Sequence, residues 1–245
     1  MTPEDLLLAR RLIVGNESLR IVEVERYRHS ADDPDPYPHK HPLQLTSGLW
    51  AFHRVGSGYR GGTYKGLDLT CGDGTAFGGL LLRAVEDQTG RRTDGPSRVV
   101  DRLLTMTGTK SVAELDRRID SRPADDLDNP LGLLRVSAVF QPVYHTARVG
   151  LTFADEHLRY WARPERFLIN PRRTRTGRPQ LIVGLFTGGM TASEIVAATG
   201  SPAKSVTAYL AAFVRGRTGE PPAPTDTGSS LLCHRLGRAL FVSGQ

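Results

Sequence analysis

The heptapeptide IVEVERY, Ile21–Tyr27, constrains this chain more than any other stretch. Side chains along a strand alternate between two faces, so Val22 and Val24 point one way while Glu23, Glu25 and Tyr27 point the other. Whatever fold holds this segment must place two carboxylates and a phenol along one face of one strand. Taken alone, the heptapeptide reads as an amphipathic edge strand with wet glutamates.

The remaining chain limits the fold around that strand. With 245 residues, 39% hydrophobic and 24% charged, it can bury the core of one ordinary domain and carry a small appendage. Its apolar runs fall short of the roughly 20 residues that span a bilayer. The opening MTPEDLLLARRLIVG carries acids where a signal peptide carries bases, so a cytoplasmic protein without a membrane partner is expected. Cys71 and Cys233 lie far apart, with neither a CxxC nor metal-ligand spacing. They are expected to be free thiols, and no metal or cofactor is expected.

Local signals sketch the elements. Thr2 caps a helix with Pro3 in its first turn, and Leu6 to Leu12 should continue it. Strands are expected at Leu19 to Tyr27, around Tyr59 to Leu69, and at Gly78 to Val85, where GGLLLRAVED reads as a buried strand with Arg83 near its end. HSADDPDPYPHKHPLQ is a long loop, because its prolines and aspartates forbid regular structure. GPSRVVDRLL and SVAELDRRI read as helices and TARVGLTF as a further strand.

Towards the C-terminus the period becomes helical. A short helix from Thr191 or Ser193 to Thr199, a turn at Gly200 to Pro202 and a second helix from Ala203 to Arg215 look like a helix-turn-helix. Ile195, Val196, Val206, Tyr209, Leu210 and Phe213 would be buried, leaving Lys204 and Ala208 outward with Ser205 and Thr207 on the flanks. Such helical pairs also serve as plain packing elements. GEPPAPTDTGSS reads as a linker, and LLCHRLGRALF as a short docking helix.

The net charge is +6, and only Lys40, Lys65, Lys110 and Lys204 among the 32 basic residues are not arginine. Arg163, Arg166, Arg172, Arg173, Arg175 and Arg178 crowd into RPERFLINPRRTRTGR, opposed only by Glu165. Guanidinium groups pair bidentately with phosphate, so this patch points to nucleic acid. A solvated arginine-rich loop is the plain alternative.

RIVEVERY resembles the signature of the alkyladenine (3-methyladenine) DNA glycosylase family, a strand that delivers a catalytic glutamate and a base-stacking tyrosine. LLLARRLIVG, GGLLLRAVED, GPSR and ARVGLTF…WARPERF resemble further family segments in the same order, so the likeness spans roughly Asp5 to Phe167. It implies an α+β fold: a single mixed domain with a curved antiparallel sheet flanked by helices over residues 1–175. A helix-turn-helix-like module over 176–219 and a linker and tail over 220–245 would follow.

The implied activity is monofunctional excision of alkylated or otherwise modified purines, in base excision repair, from duplex DNA with the damaged nucleotide turned out of the stack. Glu25 would activate the attacking water, held also by Arg83 and the carbonyl of Val149. Tyr27 and His39 would stack on the flipped base, and Tyr64 would wedge into the gap it leaves. Glu23 could orient Glu25, meet a basic partner or reach solvent. A monomer is expected.

Three departures from the family bear on the substrate. Gly61 stands where a second tyrosine walls the base pocket, Cys71 or Thr70 where an asparagine screens purines, and TSGL where an Arg-Asn pair follows the threonine. A wider pocket, or one rebuilt by Trp50 or Phe52, makes bulky adducts plausible. Two other functions remain open: a DNA-binding regulator without turnover, and an N-glycosidase acting on RNA or another exposed nucleotide.

Overall fold

The computed structural model describes residues 1–243, which form an α+β protein of two compact units, Met1–Val143 and Tyr144 onward. The first unit opens with helix α1 (Pro3–Ala9), where the Thr2 hydroxyl accepts from Asp5 N and two acids sit in the first turn. The helix stops at Ala9 and does not reach Leu12. Arg10–Val14 instead forms strand β1, because it pairs on one edge with β2 (Glu17–His29) through a two-residue turn at Gly15. Pairing on both edges outweighs the helix signal of the leucines.

Strand β3 (Ser47–Phe52) is followed by a small hairpin, β4 (Arg54–Val55) and β5 (Gly58–Tyr59). Next come β6 (Leu67–Cys71), β7 (Phe77–Glu86), β8 (Arg92–Asp94), helices α2 (Pro96–Thr107) and α3 (Val112–Ile119), and β9 (Gly132–Arg135). All pairings are antiparallel, in the order β9-β1-β2-β7-β6-β3, with β8 beside the end of β7. The strand expected over Tyr59 to Leu69 is interrupted. Gly62 takes φ 56 and starts a single 3-10 turn, Gly62–Tyr64, so Tyr64 sits on a turn and not on a strand. The long loop after β2 is present, closed by a 3-10 turn at Pro42–Leu45.

The second unit starts with β10 (Tyr144–Thr146), then α4 (Leu158–Trp161), β11 (Arg166–Leu168), α5 (Arg178–Thr187), α6 (Ala192–Thr199), α7 (Ala203–Arg217) and α8 (Gly228–Ser243). TARVGLTF is not a strand beyond Thr146: Arg148 turns inward to donate to Tyr160 O at 2.9 Å, and Gly150 takes φ 82. The boundary expected at residue 175 falls inside this unit, because α5 packs on β10 so closely that a Cβ on Gly184 would lie 2.6 Å from His145 O. The segment read as a linker is tied down, with Arg215 bridging both oxygens of Asp226 at 2.7 and 2.8 Å. The docking helix exists as α8 and crosses α7 at Gly216 and Gly237.

Candidate functional site

The carboxylates of β2 are not wet. Glu25 is 0% exposed, and Arg83 on β7 reaches both acids, with Nε 3.0 Å from Glu23 Oε1 and Nη1 3.1 Å from Glu25 Oε2. Tyr27 donates its hydroxyl to the same Glu25 Oε2 at 2.8 Å. The backbone arranges this meeting. The β2–β7 ladder pairs Ile21 with Val85, Glu23 with Ala84 and Val24 with Leu82, so it skips Val22 on one strand and Arg83 on the other. A bulge re-aims the side chain it carries, and here it seats Arg83 between the two glutamates.

The charge extends one step further than the sequence indicated. Arg92 on β8 donates to Glu23 Oε2 at 3.1 Å and to Asp94 Oδ1 at 2.6 Å. Glu23 therefore meets two guanidinium groups, which selects the basic-partner role from those open to it. Burial by itself would lower the Arg83 pKa, but Glu25 and Glu23 outweigh it and hold the value above the ordinary guanidinium range. No signal in GRRTDG marked Arg92 as a partner. Its role depends on β8 pairing with β7.

Glu25, Leu81 and Asp68 form one row across β2, β7 and β6, so Asp68 projects on the same sheet face as Glu25, two strands away. Around Asp68 lies a cavity of about 230 Å³ lined by His39, His41, Gln44, Phe52, His53 and Arg54 among others. Asp68 accepts from Gln44 Nε2 at 2.8 Å and pairs with His53 Nε2 at 3.0 Å. His39 packs over His53 with ring centroids 4.1 Å apart. Partial burial of the ring and the neighbouring His53 bring the His39 pKa down to about 4, so its imidazole is neutral at pH 7. His53, Asp68 and Gln44 went unnoticed in the sequence, where each is a lone polar residue in or beside an apolar stretch.

Other expected residues take varied places. Gly61 is exposed, a side chain there would meet open space, and it does not line the cavity around Asp68. Phe52 lines the cavity, whereas Trp50 cannot rebuild it, since its indole is buried in the core and donates to Leu131 O at 2.7 Å. Cys71, half-buried at the end of β6, has its thiol pKa pushed up to about 11 by burial and by Asp68. Tyr64 is 72% exposed. Among the described residues no cluster of His, Cys, Asp or Glu could hold a metal ion, and no helix is long and apolar enough to cross a membrane.

In the second unit Val149 precedes Gly150 and packs against Gly177, whose Cβ would lie 2.4 Å from Val149 Cγ2. The arginine patch divides by burial. Arg172, Arg173 and Arg175 are exposed, and Arg163 lies over the Tyr160 ring with Cζ 4.6 Å from its centroid. Arg166 departs from the expectation of a phosphate contact. It is 0% exposed and donates to Thr176 O at 2.9 Å and Gly177 O at 3.4 Å, so it holds the turn together from inside.

No family model matches this chain. It is similar to an uncharacterised protein of Acanthamoeba polyphaga mimivirus, with 29% identity over 181 residues that cover 67% of this chain and 83% of the viral protein.

Proposed function

We propose that this protein is a nucleic-acid N-glycosylase that removes a modified purine from DNA by water attack at the sugar carbon. The observation that carries this reading is the arrangement of Glu23 and Glu25 about the buried Arg83 that bridges them, with Tyr27 on Glu25. Breaking the bond between C1′ and the base nitrogen builds positive charge on the sugar, and a preorganised carboxylate stabilises that charge without reorganising. Glu25 takes the proton of the attacking water as its oxygen bonds to C1′, and the base leaves with the bond's electron pair. Arg83 and Tyr27 hold Glu25 in one orientation, so the carboxylate acts by placement.

The cavity around His39, His53 and Asp68 lies on the same sheet face and is large enough for a purine ring. Neutral His39 supplies a stacking surface, and an exposed Tyr64 suits a wedge. Lys65 is paired with Asp101 at 2.5 Å, which removes it from Schiff-base chemistry; Lys40, on the cavity lining, is the one amine that could still act, and an uncut abasic strand is the expected product.

A second reading, a DNA-binding regulator without turnover, draws on the complete burial of Glu25, since a sealed carboxylate can serve stability alone. One experiment separates them. The protein is incubated with DNA treated by simple and bulky alkylating agents, and released bases are identified by mass, with Glu25→Gln as the control. Release by the wild type and not by the variant supports the enzyme; no release from any treated DNA sinks it.

A further inference from the structure

The second unit contains a surface that the glycosylase reading does not use. Helices α6 and α7 are joined by Gly200, Ser201 and Pro202, with Gly200 at φ 66 closing α6. Ile195, Val206 and Leu210 pack with Leu181, Ile182 and Leu185 of α5 into one apolar core. This is a three-helix arrangement in which the α6–α7 pair turns a common face to the core and leaves Lys204, Thr207, Ala208 and Ala211 of α7 exposed.

The exposed arginines are fastened to that same turn. Arg178 donates to Thr199 O at the end of α6 at 2.7 Å and to Arg172 O at 3.1 Å. Its guanidinium thus satisfies a terminal helix carbonyl and pins the arginine segment beside it. The Arg172 side chain runs 3.8 Å from the Cβ position of Gly200. Glu194, the acid of α6, is held in a capping box by the Thr191 N–H and hydroxyl and keeps its negative charge there.

We propose that α6, α7 and the Arg172–Arg175 segment form one grip for duplex DNA, with α7 in the major groove and Arg172, Arg173 and Arg175 on the flanking phosphates. Small side chains on the outer face of α7 let its backbone approach base edges closely, and Ala and Thr methyls suit thymine methyl groups. The major groove of A-form RNA is too deep and narrow to admit such a helix, so the partner is B-form DNA. This inference stands without the glycosylase reading, since it requires neither a damaged base nor turnover.

The test measures binding of the full chain to an undamaged duplex across salt concentrations. Replacing Arg172, Arg173 and Arg175 together with alanine should lower the slope of log affinity against log salt by about 2.7, at about 0.9 per lost phosphate contact. Ala208→Glu, which places a charge at an exposed position of α7, should weaken duplex binding at least about tenfold with an unchanged melting temperature. A wild-type slope in the triple variant, wild-type affinity in Ala208→Glu, or displacement of the duplex by an equal concentration of hairpin RNA would each overturn the proposal. Wild-type base release beside any of those results would leave the enzymatic reading intact.

Discussion

Arg83 and Glu25 form a buried ion pair, Nη1 to Oε2 at 3.1 Å, and the same guanidinium holds Glu23 through its Nε. Removing the cation takes its charge away from two carboxylates that are almost wholly buried. Arg83→Met should therefore cost about 3–5 kcal/mol in urea unfolding, the range for a broken buried pair. A loss below about 1 kcal/mol would mean that the acids find other partners easily.

Glu25→Gln keeps the shape of the side chain and removes its charge. Single-turnover base release should fall by about 10²–10⁴, the usual contribution of a general base, while affinity for DNA stays close to wild type. Glu23→Gln should be milder, because Glu23 acts through Arg83 and Arg92. Equal rates for wild type and Glu25→Gln would remove Glu25 from the reaction.

His39 supplies a pH signature. Its folded pKa of about 4 lies below the ordinary value of 6.5, so the unfolded chain binds the proton more readily. The resulting contribution to stability is fully present above pH 6.5 and drains away as pH falls towards 4. Urea midpoints of wild type and His39→Gln, taken from pH 7.5 to 4.5, should diverge at the upper end and converge at the lower. Parallel curves would show that His39 titrates normally.

Both thiols should be sluggish. Burial lifts Cys233 to about 12, and burial followed by Asp68 lifts Cys71 to about 11, so little thiolate exists at pH 8. Iodoacetamide should label Cys71 slowly in the native protein and Cys233 only after denaturation, read by intact mass. Rapid labelling of Cys233 under native conditions would contradict its buried place in α8.

The α7–α8 crossing depends on two glycines. A Cβ on Gly216 would lie 2.0 Å from His234 O, and one on Gly237 would lie 2.0 Å from Phe213 O. Backbone cannot yield as a side chain does, so Gly216→Ala or Gly237→Ala should destabilise by about 1–3 kcal/mol or more. Thermal melts at wild-type values for both would show that the helices separate at little cost.

Local periodicity located several of the strands and helices, though not β1, where residues 10–12 read as helix. Alternation in IVEVERY located β2, the continuous apolar run of GGLLLRAVED located β7, and the 3.6-residue spacing with its Gly200–Pro202 break located α6 and α7, because these signals lie within a few residues. That Glu25 and Tyr27 share a face was legible in the alternation, but their meeting with Arg83 was not. Tertiary structure decided the rest. The cancelling bulges at Val22 and Arg83, the link from Glu23 to Arg92, the His53–Asp68 pair under His39 and the inward turn of Arg166 all join residues far apart in the chain or depend on ladder register. Register and burial are properties of the assembled sheet and core. A residue's neighbours in sequence do not specify which carbonyl or carboxylate its guanidinium will reach.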